Sequence, residues 1–157
     1  MNDIQTAKKN SKKGFTLVEL VVVIAILAIL AAIAIPVVAS TIASSQRSAA
    51  LSDAQTLELA LKEAHAQIVA KDTSVYKADA AVSDVVSKKS LQSIGLSAKA
   101  DARTIGGTAY TLVWDTTDDK CYWVDGKGNN LSEAKMGGTP TAAKDAIVDT
   151  KKVSDLF

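Results

Sequence analysis

From position 20 to position 39 the chain runs for 20 residues without a charged or polar side chain. At about 1.5 Å per helical residue, that run matches a hydrocarbon layer roughly 30 Å thick. A freely soluble cytosolic existence is excluded for the unprocessed chain. The positions just before it carry Lys8, Lys9, Lys12 and Lys13 against Asp3, a local charge of +3, while the remaining 14 basic and 16 acidic groups sum to −2. A basic flank stays on the cytoplasmic side, so the spacing predicts a single-pass topology with the rest of the chain outside. The net charge of +1 points to no strongly electrostatic partner. One His and one Cys exclude a disulfide scaffold and a multi-cysteine zinc site.

An ordinary secretory signal peptide is the plain alternative, with a cut near Ala39-Ser40. Its apolar segment usually spans roughly 7 to 15 residues, and this one is longer. The sharper feature is the junction Lys12-Lys13-Gly14-Phe15-Thr16-Leu17-Val18-Glu19-Leu20. Glu19 sits inside an otherwise apolar segment, where insertion scales assign a mid-membrane acid about 2.5 to 3.5 kcal/mol. An acid in that setting is a functional candidate by default, although a place at headgroup level lowers the cost.

Over residues 12–36 the sequence resembles the type IV pilin family, including the pseudopilins of type II secretion and competence systems. The resemblance rests on a short basic leader, Gly14 then Phe15, an acid at Glu19 and Pro36 within the apolar helix. It implies cleavage between Gly14 and Phe15 by a membrane prepilin peptidase and N-methylation of the new Phe15 amine. Removal of the leader takes away four lysines and leaves one cationic amine near Glu19. The resemblance further implies that Glu19 neutralises the Phe15 amine of a neighbouring subunit during assembly, and that the helix loosens near Pro36. The implied partners are further copies of the chain, other pilins, the prepilin peptidase, the pilus assembly machinery and the membrane. The implied location is the bacterial inner or cytoplasmic membrane for the precursor and an extracellular filament for the assembled form.

Beyond the apolar run, Ser40 to Ser48 bring the chain into water without a Gly or Pro, so the helix is expected to continue. Ala50, Ala54, Leu57, Leu61, Ala64 and Ile68 fall on one helical stripe. Ala25, Ala28 and Ala32 form a narrow small-residue face suited to helix–helix approach, and Pro36 marks an expected kink. A second short amphipathic helix is expected with Asp79 or Ser83 as cap, Val82, Val85, Val86 and Leu91 as its apolar face, and Gly95 as its end. Residues 108–114 and 121–124 read as an antiparallel hairpin, with a third strand near Leu131 and a helical signal over residues 142–148. The expected architecture is α+β and pilin-like. A long N-terminal helix, half membrane-spanning and half amphipathic, packs against a small antiparallel sheet. The expected divisions are a leader at 1–14, a membrane and filament-core helix at 15–39, an amphipathic continuation at 40–69 and a globular head at 70–157.

No catalytic constellation emerges, and a non-enzymatic role without a cofactor is expected. His65 and Cys121 have no nucleophile–base motif around them, and His65 falls within the helical repeat. Paired cysteines pin the tail in many members of the resembling family; with Cys121 alone, this chain must hold its tail otherwise. Asp115, Asp118, Asp119, Asp125 and Asn129 invite a calcium reading, but the spacing fails the EF-hand pattern and solvated hairpin ends are the simpler account. Asn130-Leu131-Ser132 matches a short glycosylation pattern that is common by chance. Lys88-Lys89 and Lys151-Lys152 are isolated pairs in the sequence, so no specific nucleic-acid partner is expected. Three roles remain in view: a subunit of a surface pilus serving adhesion, motility or DNA uptake; a secretion or competence pseudopilin; and a monomeric signal-anchored binding module.

Overall fold

The computed structural model describes residues 14–72, 74–94, 96, 102–142, 144–148 and 150–157. These residues form two compact units that divide between Ala39 and Ser40. The leader before Gly14 and the expected helix end at Gly95 lie outside the described residues.

Helix α1 runs Leu17–Val69, 53 residues, with Pro36 inside it. Its outer portion buries Ala50, Ala54, Leu57, Ala60, Leu61 and Ala64, the expected stripe with Ala60 added. Ile68 is partly buried against the same core. The alanines matter because they let bulky sheet residues come close: the Trp123 indole Nε1 donates to the Ala50 carbonyl at 2.7 Å. At its C-terminus the Lys71 N–H donates to Ile68 O and the Asp72 N–H to Gln67 O, both at 3.0 Å. This Schellman closure places Lys71 in the left-handed region, φ 57°.

The sheet has three antiparallel strands in the order β1-β2-β3: β1 Ala102–Ile105, β2 Thr108–Asp115 and β3 Lys120–Asp125. Gly106 and Gly107, at φ 57° and 85°, make the two-residue turn between β1 and β2. Such turns require positive φ at both central positions, which glycine adopts without a Cβ penalty. Alternation sorts the strand side chains: Leu112, Trp114, Cys121 and Trp123 join the core under α1, while Val113, Tyr122 and Val124 form a smaller cluster with Met136. The expected third strand near Leu131 is corrected. Asn130 makes only an isolated bridge to Val124, and the third strand is β1 on the other side of β2.

Helix α2, Val82–Lys88, buries Val82, Val85 and Val86 as expected, and Leu91 is buried beyond it. Its cap is neither Asp79 nor Ser83. Ala81 occupies the cap position in extended conformation, its N–H donates to Asp84 Oδ2 at 3.0 Å, and the Val82 N–H donates to the Lys151 carbonyl. The tail's backbone thus satisfies a donor that the local sequence leaves open.

The expected helix over residues 142–148 is absent among the described residues. The Trp114 N–H donates to Asp145 O at 3.1 Å and the Ile147 N–H to Leu112 O at 3.0 Å, so this segment covers the part of the β2 edge that β1 leaves free. A 3-10 turn at Val153–Asp155 follows, with Val153 and Leu156 in the core. The tail is therefore pinned by backbone hydrogen bonds and three buried side chains, Ile147, Val153 and Leu156, in place of a disulfide.

Candidate assembly site

Gly14, Phe15 and Thr16 precede the first turn of α1. Among the described residues, a Cβ built on Gly14 meets nothing within 4 Å, so their packing does not require glycine there. Phe15 is 91% exposed.

Glu19 lies in the first helical turn and is tied to Thr16. Its Oε2 accepts from both the Thr16 N–H and the Thr16 hydroxyl at 2.8 Å, and the Glu19 N–H donates back to Thr16 Oγ1 at 3.2 Å. This reciprocal pair is a capping box: an N-cap threonine and an acid three residues on satisfy two donors that an open helix end would waste. An anionic group here also complements the positive end of the helix dipole. Thr16 was legible as the first letter of a T-x-x-E pattern ahead of an apolar run, which the reading of Glu19 as a charge partner alone passes over. The second carboxylate oxygen, Oε1, takes part in neither bond, which leaves an anionic acceptor available to a cation.

Every large hydrophobic side chain from Phe15 to Val38 is between 47% and 91% exposed. Ala25, Ala28 and Ala32 are exposed too. α1 is long and apolar enough to cross a membrane and lies near the N-terminus, which is compatible with anchoring of a precursor. An uncovered apolar surface of this extent is unstable in water and needs lipid or other apolar helices around it.

The other candidate residues are placed elsewhere. His65 stacks on Phe157 with ring centroids 4.1 Å apart. Cys121 is buried in the core, where desolvation pushes its thiol well above the usual range, and its backbone N–H donates to Glu58 Oε2. A buried thiol held protonated is a poor nucleophile. Asp115 accepts from the N–H groups of Thr117 and Gly138, Asp118 from Tyr122 Oη and the Gly137 N–H, and Asp125 from Lys127 and Asn129. The Asn129 side chain and backbone hold the Asp125 carboxyl below its ordinary value, and the Lys127 N–H lowers it further. Among the described residues, no three His, Cys, Asp or Glu side chains are arranged to hold a metal ion. Asn130 uses its side chain within its own loop, accepting from Ser132 and donating to Ala134 O.

A family model for the prokaryotic N-terminal methylation motif matches residues 9–35. This chain carries that motif. It is the signal motif of type IV pilins and pseudopilins and supports a precursor of that type, with processing by prepilin peptidase and assembly into pilus-like polymers as what the motif implies. Gly14, Phe15 and Glu19 all fall within the matched residues, as does the small-residue face at Ala25, Ala28 and Ala32. Pro36 lies one residue beyond the match. Neither the curated proteins nor the solved structures give a match.

Proposed function

We propose that the protein is a structural subunit of a type IV pilus, cut between Gly14 and Phe15, N-methylated on Phe15 and polymerised through its apolar helix into a surface filament. The methylation motif laid over the exposed apolar part of α1, with Glu19 in its first turn, carries this reading. Removal of the leader's lysines leaves the Phe15 amine as the cation near the helix start. Glu19 meets it through the oxygen that Thr16 does not use and sets the register of an incoming subunit. Apolar helices then exchange lipid contacts for one another, with Ala28 and Ala32 allowing close approach and Pro36 permitting a bend. The work is burial and charge pairing; no bond-making step beyond processing, and no cofactor, is invoked. Adhesion, motility or DNA uptake would be properties of the polymer.

The test is to shear cells, image the released material and sequence its N-terminus. Long filaments beginning at methylated Phe15 are expected. A short polymer retained at the envelope would assign the chain to the pseudopilins, and retention of residues 1–14 in the functional protein would refute processing and favour a monomeric anchored module.

A further inference from the structure

The sheet face opposite α1 carries a second, much smaller apolar cluster. Val113 and Val124 are 0% exposed and Tyr122 is 7% exposed, and among the described residues Met136 is the one further apolar side chain packed against them. Met136 comes from the stretch that follows Leu131. Glu133, Ala134, Lys135 and Gly137 around it are all exposed, so a single apolar side chain anchors residues 133–137 to the sheet. The polar holds on this stretch are few. Asn130 Nδ2 donates to Ala134 O at 2.9 Å, the Gly137 N–H donates to Asp118 Oδ2 at 3.3 Å, and Glu133 pairs with Arg47 at a solvent-exposed contact of 3.0 Å. Met136 is only partly buried, so a small oxidant reaches its sulfur without unfolding the chain. Acceptors crowd the neighbourhood. Asp118 Oδ2 already takes the Tyr122 hydroxyl at 2.6 Å together with the Gly137 N–H, and Asp118 Oδ1 is buried with no donor of its own among the described residues.

A thioether suits this place and a sulfoxide does not. We propose that Met136 is an oxidant-responsive anchor, whose conversion to the sulfoxide by a hydroperoxide releases residues 133–137 from the sheet while the core beneath α1 stays folded. One oxygen passes from the peroxide to the thioether sulfur: the S–O bond forms as the O–O bond breaks, sulfur is oxidised by two electrons, and the peroxide leaves as water or an alcohol. The new S=O group is a strong acceptor, and the donors placed beside it, the Gly137 N–H and the Tyr122 hydroxyl, are already spent on Asp118. An acceptor pressed against Val113 and Val124 without a donor is costly, so the oxidised side chain turns to water and takes its loop with it. Leu112, Trp114, Cys121 and Trp123 point to the other face of the sheet and keep their contacts. Release uncovers Val113, Tyr122 and Val124 as an apolar patch. The device is independent of whether the chain polymerises.

Trypsin cleavage after Lys135 reads the loop directly. The full chain in detergent micelles is treated with hydrogen peroxide, oxidation of Met136 is followed by the mass of the peptide that contains it, and cleavage after Lys135 is timed against cleavage after Lys62 in α1. Met136 should gain one oxygen in the folded protein. Cleavage after Lys135 should then run at least about tenfold faster, with cleavage after Lys62 unchanged. Met136→Leu keeps the apolar anchor and cannot form a sulfoxide, so its cleavage should be slow with or without peroxide. Met136→Gln places a polar side chain there and should be cleaved at the oxidised rate without peroxide. Complete oxidation of Met136 with no faster cleavage after Lys135 would overturn the proposal, as would resistance of Met136 to peroxide in the folded protein. Acceleration that persists in Met136→Leu would also overturn it, and so would equal acceleration after Lys62, which would mean global unfolding.

Discussion

Glu19 performs two separable tasks in this reading, and three substitutions distinguish them. As the acid of a capping box it receives the Thr16 N–H and hydroxyl at 2.8 Å; as an anion it attracts the Phe15 amine of the next subunit. Thr16→Ala removes the hydroxyl and keeps the charge. Loss of an N-cap costs about 1 kcal/mol, which weakens the helix start by roughly fivefold. Glu19→Gln keeps a neutral oxygen for Thr16 and removes the charge. Two opposite charges about 4 Å apart at an effective dielectric of 20 attract by about 4 kcal/mol, close to a thousandfold in an equilibrium constant. Glu19→Ala removes both functions. The expected order of filament yield is therefore wild type, then Thr16→Ala by a modest step, then Glu19→Gln and Glu19→Ala far below. The assay is the ratio of sheared polymer to membrane-bound subunit, measured alongside the fraction of precursor that has been cut, which all three variants should leave unaltered. Polymer at the wild-type level from Glu19→Gln would refute the charge-pairing argument. A fall with Thr16→Ala as deep as that with Glu19→Gln would show that the cap, not the charge, is what assembly requires.

Trp123→Phe removes the indole donor to Ala50 O and part of a ring that is 0% exposed, and it weakens the stacking of the Arg103 guanidinium 5.1 Å from the ring. A loss of about 2 to 4 kcal/mol is expected in denaturant unfolding, from one hydrogen bond, a partial cavity and a diminished cation–π contact. Lys71→Gly should relieve the left-handed strain at the end of α1, stabilise by about 0.5 to 1 kcal/mol and raise the melting temperature by about 2 °C. Because Asn129 holds the Asp125 carboxyl below its ordinary value of 3.8, that group's contribution is complete above 3.8 and is lost as pH falls through the lowered value. In acid titration Asp125→Asn should be less stable than wild type at neutral pH, and the gap should close below that range; a gap constant with pH would contradict the assignment.

The sequence reading succeeds where the pattern is local and fails where a partner is remote. The stripe from Ala50 to Ala64 and the hairpin strands follow from periods that a window of residues contains. β1 was also within reach: Gly106-Gly107 between Ile105 and Thr108 is a two-residue turn signal, but a four-residue strand gives too little alternation to stand out. The helical signal at residues 142–148 loses to a demand that no local window displays. β2 outruns β1, and the backbone groups of Leu112 and Trp114 in the buried end of β2 need partners, which Ile147 and Asp145 supply. The same logic places the cap of α2, where Lys151 reaches Val82 from far along the chain. At the assembly site the motif residues were legible, while the Thr16–Glu19 reciprocity was concealed by reading the acid only as a charge.

In the proposed polymer, the distribution of charge along α1 is what would let one acid govern register. Besides Glu19 the helix carries five charged side chains, and each is matched inside its own subunit: Arg47 with Glu133, Asp53 with Arg103, Glu58 with Lys62, and Glu63 with Lys89. These pairs contribute little to stability where they are exposed, but they leave few uncompensated charges on the helix for a neighbouring copy to recognise. Helix contacts made only of Ala, Val, Ile and Leu are nearly indifferent to a slip of one turn, since each register buries a similar aliphatic surface. A point charge is not indifferent. Moving a neighbour by one helical turn, about 5.4 Å, takes its amine from roughly 4 Å to about 7 Å from Glu19 when the contact is lateral and removes about 40% of the attraction. Relocating the acid should therefore shift the register as well as the yield: Glu19→Ala combined with Val23→Glu, one turn further along α1, should give either no polymer or a polymer with an altered axial rise. A wild-type rise in that double variant would mean that side-chain packing, not charge, sets the register.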